Sequence, residues 1–86
     1  MTVRMQPFAG QPRANWKPGM IRRDDDVADH HYVCPCGCQN LYYAQHAVQS
    51  GSVETGDLTL TPSLHHNGPG HCGWHGWLRD GQFVDA

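Results

Sequence analysis

A chain of 86 residues, 38% of them hydrophobic and with a mean hydropathy of −0.62, has room for one domain with a thin core. At this size disulfides, a metal or a partner usually supply the missing stability. A net charge of −2 argues against a strongly basic nucleic-acid binder, and no apolar run approaches the roughly 18 residues of a membrane-spanning helix.

The charge is unevenly placed. Arg4, Arg13, Lys17, Arg22 and Arg23 all precede position 24, and every acidic residue lies at position 24 or beyond. Residues 1–23 therefore read as a basic, Pro/Gly-rich extended arm on an acidic β domain, residues 24–86. Pro7, Pro12, Pro18, Gly10 and Gly19 interrupt any helical or strand period in the arm. Phe8 and Trp16 are its only large apolar groups and are expected to pin it to the body. Met20–Arg23 reads as a short strand. Asp24-Asp25-Asp26 reads as a solvated turn, since the glycine and distal glutamate of a calcium loop are missing. His30 and His31 are expected to be exposed.

Tyr32-Val33 and Leu41–Ala44 carry strand-forming residues on either side of Cys34-Pro35-Cys36-Gly37-Cys38. A strand, a tight cysteine turn and a returning strand are the parts of a zinc knuckle. Gln45–Gln49 reads as one helical turn. Along Leu58–Leu64 the leucines and Pro62 alternate with Thr59, Thr61 and Ser63, the pattern of a half-buried strand. Pro62 has no N–H and places that strand at an edge or ends it. Asp80-Gly81 is a two-residue type I′ turn signal. It pairs Arg79 with Gln82, Leu78 with Phe83 and Trp77 with Val84, with Leu78 and Phe83 facing the core.

Without an N-terminal signal-peptide pattern, an oxidising compartment is not indicated, and Cys34, Cys36 and Cys38 are too close together to pair well with one another. The cysteines are instead read as ligands of one structural zinc. Cys72-x-x-His75 supplies one pair at ordinary zinc spacing. Cys36 follows, being succeeded by glycine. Cys34 and Cys38 compete for the last place, so the expected set is Cys34, Cys36, Cys72 and His75 with Cys38 as the alternative ligand. His65, His66 and His71 are reserves. Metal binding in such domains supplies on the order of 10 kcal/mol of folding free energy, so the apo-protein is expected to be unfolded or molten.

Cys72-Gly-Trp-His75-Gly-Trp77 with Asp80-Gly81 resembles half of a Rieske iron–sulfur motif. The upstream half departs from it, because Cys36 stands where that motif needs histidine. An iron–sulfur cluster is therefore the alternative cofactor. Over residues 32–84, the order C-P-C-G-C, T-L-T-P-S-L, C-G-W-H-G-W-L-x-D-G is similar to a family of small proteins of unknown function from bacteriophages, prophages and bacteria. Relatives of that family occur beside bacterial ubiquitin-like conjugation genes. Family members commonly have glycine after the third cysteine, where this chain has Gln39. The resemblance implies a small, cysteine-rich, zinc-binding β domain, phage-encoded and located in the bacterial host cytoplasm.

From these features the expected function is a non-enzymatic zinc module that binds a protein partner, host or phage, with no catalytic residues. The alternatives are nucleic-acid binding through the basic arm and a Rieske-like redox protein. A zinc hydrolase needs an open coordination site and a nearby base, and Glu54, the only glutamate, is not placed near the metal by any motif.

Overall fold

The computed structural model describes residues 2–23, 30–67 and 70–86. Its strands are β1 (Thr2–Arg4), β2 (Gln6–Pro7), β3 (Met20–Arg23), β4 (His30–Val33), β5 (Leu41–Ala44), β6 (Ala47–Ser50), β7 (Thr59–Thr61), β8 (Leu64–His65), β9 (His75–Arg79) and β10 (Gln82–Asp85). A single 3₁₀ turn, Arg13–Asn15, is the only helical element among the described residues, and none of their helices is long and apolar enough to cross a membrane. The architecture is the small β-rich domain expected, with a knuckle-like cysteine loop and a C-terminal hairpin.

One sheet runs β1-β10-β9-β8, a second runs β2-β3-β4-β5, and β6 and β7 form a separate ribbon. Every pairing is antiparallel except β2 with β3. The β9–β10 hairpin has the register that Asp80-Gly81 dictates, Arg79 opposite Gln82 and Leu78 opposite Phe83. Asp80 and Gly81 have φ of 49° and 75°, as both central residues of a type I′ turn must. Leu78 and Phe83 are fully buried. Across the core, Phe83 stacks on Tyr32 of β4 with ring centroids 5.4 Å apart, and Leu58 and Leu60 close it from the ribbon side.

The N-terminal segment runs extended and joins both sheets. β1 lies against β10, with Thr2 opposite Val84. The Met5 amide donates to the Gly81 carbonyl at 2.8 Å, and β2 then pairs parallel to β3. Phe8 and Trp16 pack on each other, centroids 5.8 Å apart, with the Arg22 guanidinium over Phe8 and that of Arg13 over Trp16.

Three local expectations are corrected. The helical turn at Gln45–Gln49 is strand β6, because pairing Val48 opposite Leu60 of β7 overrides weak local helix signals. His30 is 1% exposed, since β4 alternates and puts His30 on the same face as core Tyr32. Along Leu58–Leu64 the first strand ends at Pro62 as expected, giving β7 and β8, but Pro62 itself is exposed rather than sharing the buried face of Leu58, Leu60 and Leu64. The acidic turn Asp24-Asp25-Asp26 lies outside the described residues.

Truncating Leu78 to alanine removes a side chain that is 0% exposed. The metal-loaded protein is expected to lose about 2–5 kcal/mol, read as a lower urea midpoint at unchanged slope. A loss under about 0.5 kcal/mol, the scale of a surface substitution, would show that this hairpin does not carry the core.

Candidate functional site

The chain leaves β4 at Val33, turns through Cys34–Asn40 and returns as β5. The turn is closed by the Cys34 amide donating to the Asn40 carbonyl at 2.9 Å. It is tight enough to put Gly37 at φ 91° and Gln39 at φ 59°. Cys72 approaches from the connection between β8 and β9. The four Sγ atoms of Cys34, Cys36, Cys38 and Cys72 all lie within 4.8 Å of one another. Cys34 Sγ is 3.2 Å from that of Cys36 and 3.4 Å from that of Cys72, and none of the four is in a disulfide. Tetrahedral Zn–S bonds near 2.3 Å would set sulfurs about 3.8 Å apart, so the cage has the dimensions of a four-thiolate metal site.

Tyr42 and His66 wall the cluster. The Tyr42 hydroxyl accepts from the Cys72 amide at 3.2 Å and donates to its sulfur at 3.6 Å. His66, 3% exposed, stacks on the Tyr42 ring with centroids 3.5 Å apart and planes 6° from parallel. Its Nδ1 is 3.4 Å from Cys34 Sγ and 3.5 Å from Cys72 Sγ, and its Nε2 faces the Tyr32 hydroxyl at 2.5 Å. Burial pushes the Cys34 and Cys36 thiols up. It works against ionisation of Cys72 as well, but hydrogen bonds from the Trp74 amide, Tyr42 and the neighbouring thiols outweigh it and bring Cys72 down to about 7. Burial first, then His71 and His65, holds the His66 imidazole down at about 4, so it is neutral at pH 7.

Of the ligands expected from sequence, Cys34, Cys36 and Cys72 join this group, as does the alternative, Cys38. His75 stands outside it. Cys72 lies in the loop, whereas His75 is already the first residue of β9. Alternation along that strand buries Trp74 and Gly76 and leaves His75 exposed. The Trp74 indole donates to Asp85 at 2.7 Å, a bond that holds the Asp85 carboxyl below its usual range.

His75 meets Ser63 instead. Its Nε2 is 3.1 Å from the Ser63 Oγ, within the range for a nucleophile and its base. β8 and β9 build this pair: Leu64 lies opposite Gly76 and His65 opposite His75, and Ser63 immediately precedes β8. The Ser63 carbonyl is 2.9 Å from His46 Nε2, which donates to it and fixes the loop. The His65 and Trp77 rings flank the His75 imidazole, centroids 4.5 and 5.9 Å away. No carboxylate of the described residues hydrogen-bonds His75. Chemically, this is a half-buried serine hydroxyl at hydrogen-bond distance from an exposed imidazole, an arrangement in which the imidazole can take the hydroxyl proton.

Sequence reasoning missed the pair for identifiable reasons. Ser63 reads as one more polar residue on the outer face of an alternating strand. Cys72-x-x-His75 has the spacing of a zinc pair, which hides the other use of the histidine. His66 carried no signal beyond its residue type.

A family model described as bacterial ubiquitination-like system serine protease (BubE) matches residues 8–86, and the chain belongs to this family. No curated protein and no solved structure matches it. The match overturns the expected non-enzymatic interaction module, and with it the nucleic-acid and Rieske-like alternatives, because the family is described as a protease. In the cysteine turn, Gln39 occupies a left-handed conformation that glycine adopts without strain. Gln39→Gly is expected to raise stability by about 0.5–1 kcal/mol, the αL strain relieved less the extra glycine entropy, seen as a higher melting temperature. A lower one would mean that the Gln39 side chain, rather than its backbone, matters to the turn.

Proposed function

We propose that this chain hydrolyses acyl bonds in protein substrates of a bacterial ubiquitination-like system, with Ser63 as nucleophile and His75 as general base. The observation that carries the reading is the 3.1 Å contact between Ser63 Oγ and His75 Nε2 in a chain whose family is described as a serine protease. Ser63 Oγ attacks the substrate carbonyl carbon as its proton passes to His75 Nε2. The proton then goes to the leaving amine or alcohol as the bond to the acyl carbon breaks. Water, giving a proton to His75, attacks the acyl-serine and releases the acid, and Ser63 recovers its proton from His75. His46 keeps the nucleophile's backbone in place, and His65 and Trp77 restrict the imidazole to orientations that face Ser63.

The four cysteines are read as the ligands of one structural zinc. Soft thiolates suit zinc or iron, and a Rieske cluster, which takes two cysteines and two histidines, does not fit four converging sulfurs. A four-thiolate site is closed and leaves no position for a metal-bound water. When bound, zinc supplies folding free energy rather than a hydrolytic nucleophile, and the protein partners implied are the substrates themselves.

Ser63→Ala and His75→Ala are each expected to lower hydrolysis, and labelling by a fluorophosphonate probe, by about 10³-fold or more, while circular dichroism and metal content stay at wild-type levels. Wild-type labelling of the Ser63→Ala protein would end this assignment. In the same variant set, Cys34→Ser, Cys38→Ser and Cys72→Ser are expected to lose metal while His75→Ala retains it. Metal loss in His75→Ala with retention in Cys38→Ser would restore the three-cysteine, one-histidine set.

A further inference from the structure

The metal cage and the serine–histidine pair share one hairpin. Ser63 lies three residues before His66, and His75 lies three residues after Cys72. β8 is two residues long and pairs with β9 at two positions only, which is little backbone to hold a nucleophile in register with its base. What lies at the other end of the hairpin therefore matters to both. There the His66 amide donates to the Trp74 carbonyl at 2.8 Å, and the Gly73 amide donates to the His66 carbonyl at 2.7 Å. These two bonds close the loop next to Cys72.

The His66 side chain is held as tightly as its backbone. Metal-bound thiolates can only accept, so beside them the proton of a neutral imidazole sits on Nδ1, and Nε2 accepts from the buried Tyr32 hydroxyl. That proton points between Cys34 and Cys72, whose sulfurs are at 3.4 and 3.5 Å. These two cysteines come from the two separate chain segments of the cage. A neutral N–H donor shared between them offsets part of the negative charge that four thiolates leave on a divalent ion, and stacking on Tyr42 keeps the ring from turning away.

We infer that His66 is a positioning residue, joining the two segments of the thiolate centre through Nδ1–H and thereby holding Ser63 opposite His75. The inference rests on the thiolate-centre and dyad readings above. It makes His66 a part of the hydrolase that touches neither substrate nor the reacting atoms. Groups of this kind beside a metal centre typically change its affinity 10–100-fold, and a displacement of about 1 Å in a catalytic pair can cost about 10²-fold in rate.

The test uses the full chain loaded with cobalt(II) as a spectroscopic substitute, in wild type, His66→Phe, His66→Gln and His66→Asn. Phenylalanine keeps the stack but has no donor. Glutamine reaches toward Tyr32 and not the sulfurs. Asparagine places an N–H where Nδ1 stands. In the first two, the thiolate-to-cobalt charge-transfer bands are expected to move to longer wavelength, as the thiolates lose a hydrogen-bond donor. Metal affinity by chelator competition should fall about 10–100-fold, and fluorophosphonate labelling of Ser63 should slow by about tenfold or more. His66→Asn should restore the bands and most of the affinity. Wild-type bands and affinity in His66→Phe and His66→Gln, or an asparagine variant no better than phenylalanine, overturn the role of His66. Failure of the wild-type chain to bind cobalt overturns the metal reading itself, and altered bands with unchanged labelling overturn the coupling to Ser63.

Discussion

Four cysteine sulfurs within 4.8 Å of one another are a demanding thing for an 86-residue chain to hold. As thiols they crowd together groups that make only weak hydrogen bonds, and as thiolates they repel. On the proposed reading a divalent cation would resolve both problems and contribute on the order of 10 kcal/mol, comparable to the whole stability of an ordinary small domain. The hydrophobic core is correspondingly modest: a row of leucines, Tyr32, Phe83 and Ile21 between short strands. Among the described residues no strand pairing joins the knuckle to the Cys72 loop, so the sulfur cluster ties these two loops together, beside the β1–β2 segment and the Tyr32–Phe83 stack that also connect the two sheets.

That tie has a chemical consequence. A serine hydroxyl is a weak nucleophile until an imidazole is fixed beside it, and here the two residues stand on neighbouring strands, one of them only two residues long. The geometry at Ser63 is set from three sides: strand pairing to β9, the His46 bond to the serine carbonyl, and closure of the loop at His66 and Cys72. On the proposed reading, this small β domain obtains a rigid pair by placing a thiolate metal centre at the far end of the hairpin that bears it. On this reading the metal stabilises the catalytic geometry without taking part in the reaction.

Much of the fold was legible in the sequence where local chemistry is decisive. Asp80-Gly81 forces positive φ at two successive positions and so fixes the register of β9 and β10. Strand-forming residues on both sides of the cysteine run mark the β4–β5 knuckle. The exchange of a helical turn for β6 was not legible, because Val48 finds its partner Leu60 only in three dimensions. The convergence of the four cysteines was legible, since three thiols in five positions with a fourth in a distant loop have the spacing of a metal cage. The position of His75 outside the cysteine cluster was not, because Cys-x-x-His describes a ligand pair and a loop-to-strand boundary equally well. What separates the two is where β9 begins. If it started one residue later, His75 would belong to the loop with Cys72. Ser63 was hidden for a related reason, as a serine on the polar face of a strand gives no sign of the imidazole that the next strand brings to it.

The most direct measurement is site-resolved labelling of Ser63 by a fluorophosphonate in the metal-loaded protein, after chelation, and after zinc is returned. The account predicts modification of Ser63 alone in the loaded protein, loss of that modification with the metal together with loss of near-UV circular dichroism, and recovery of both on adding zinc. Equal labelling of Ser63 in loaded and metal-free protein, or labelling directed to another residue, would contradict it.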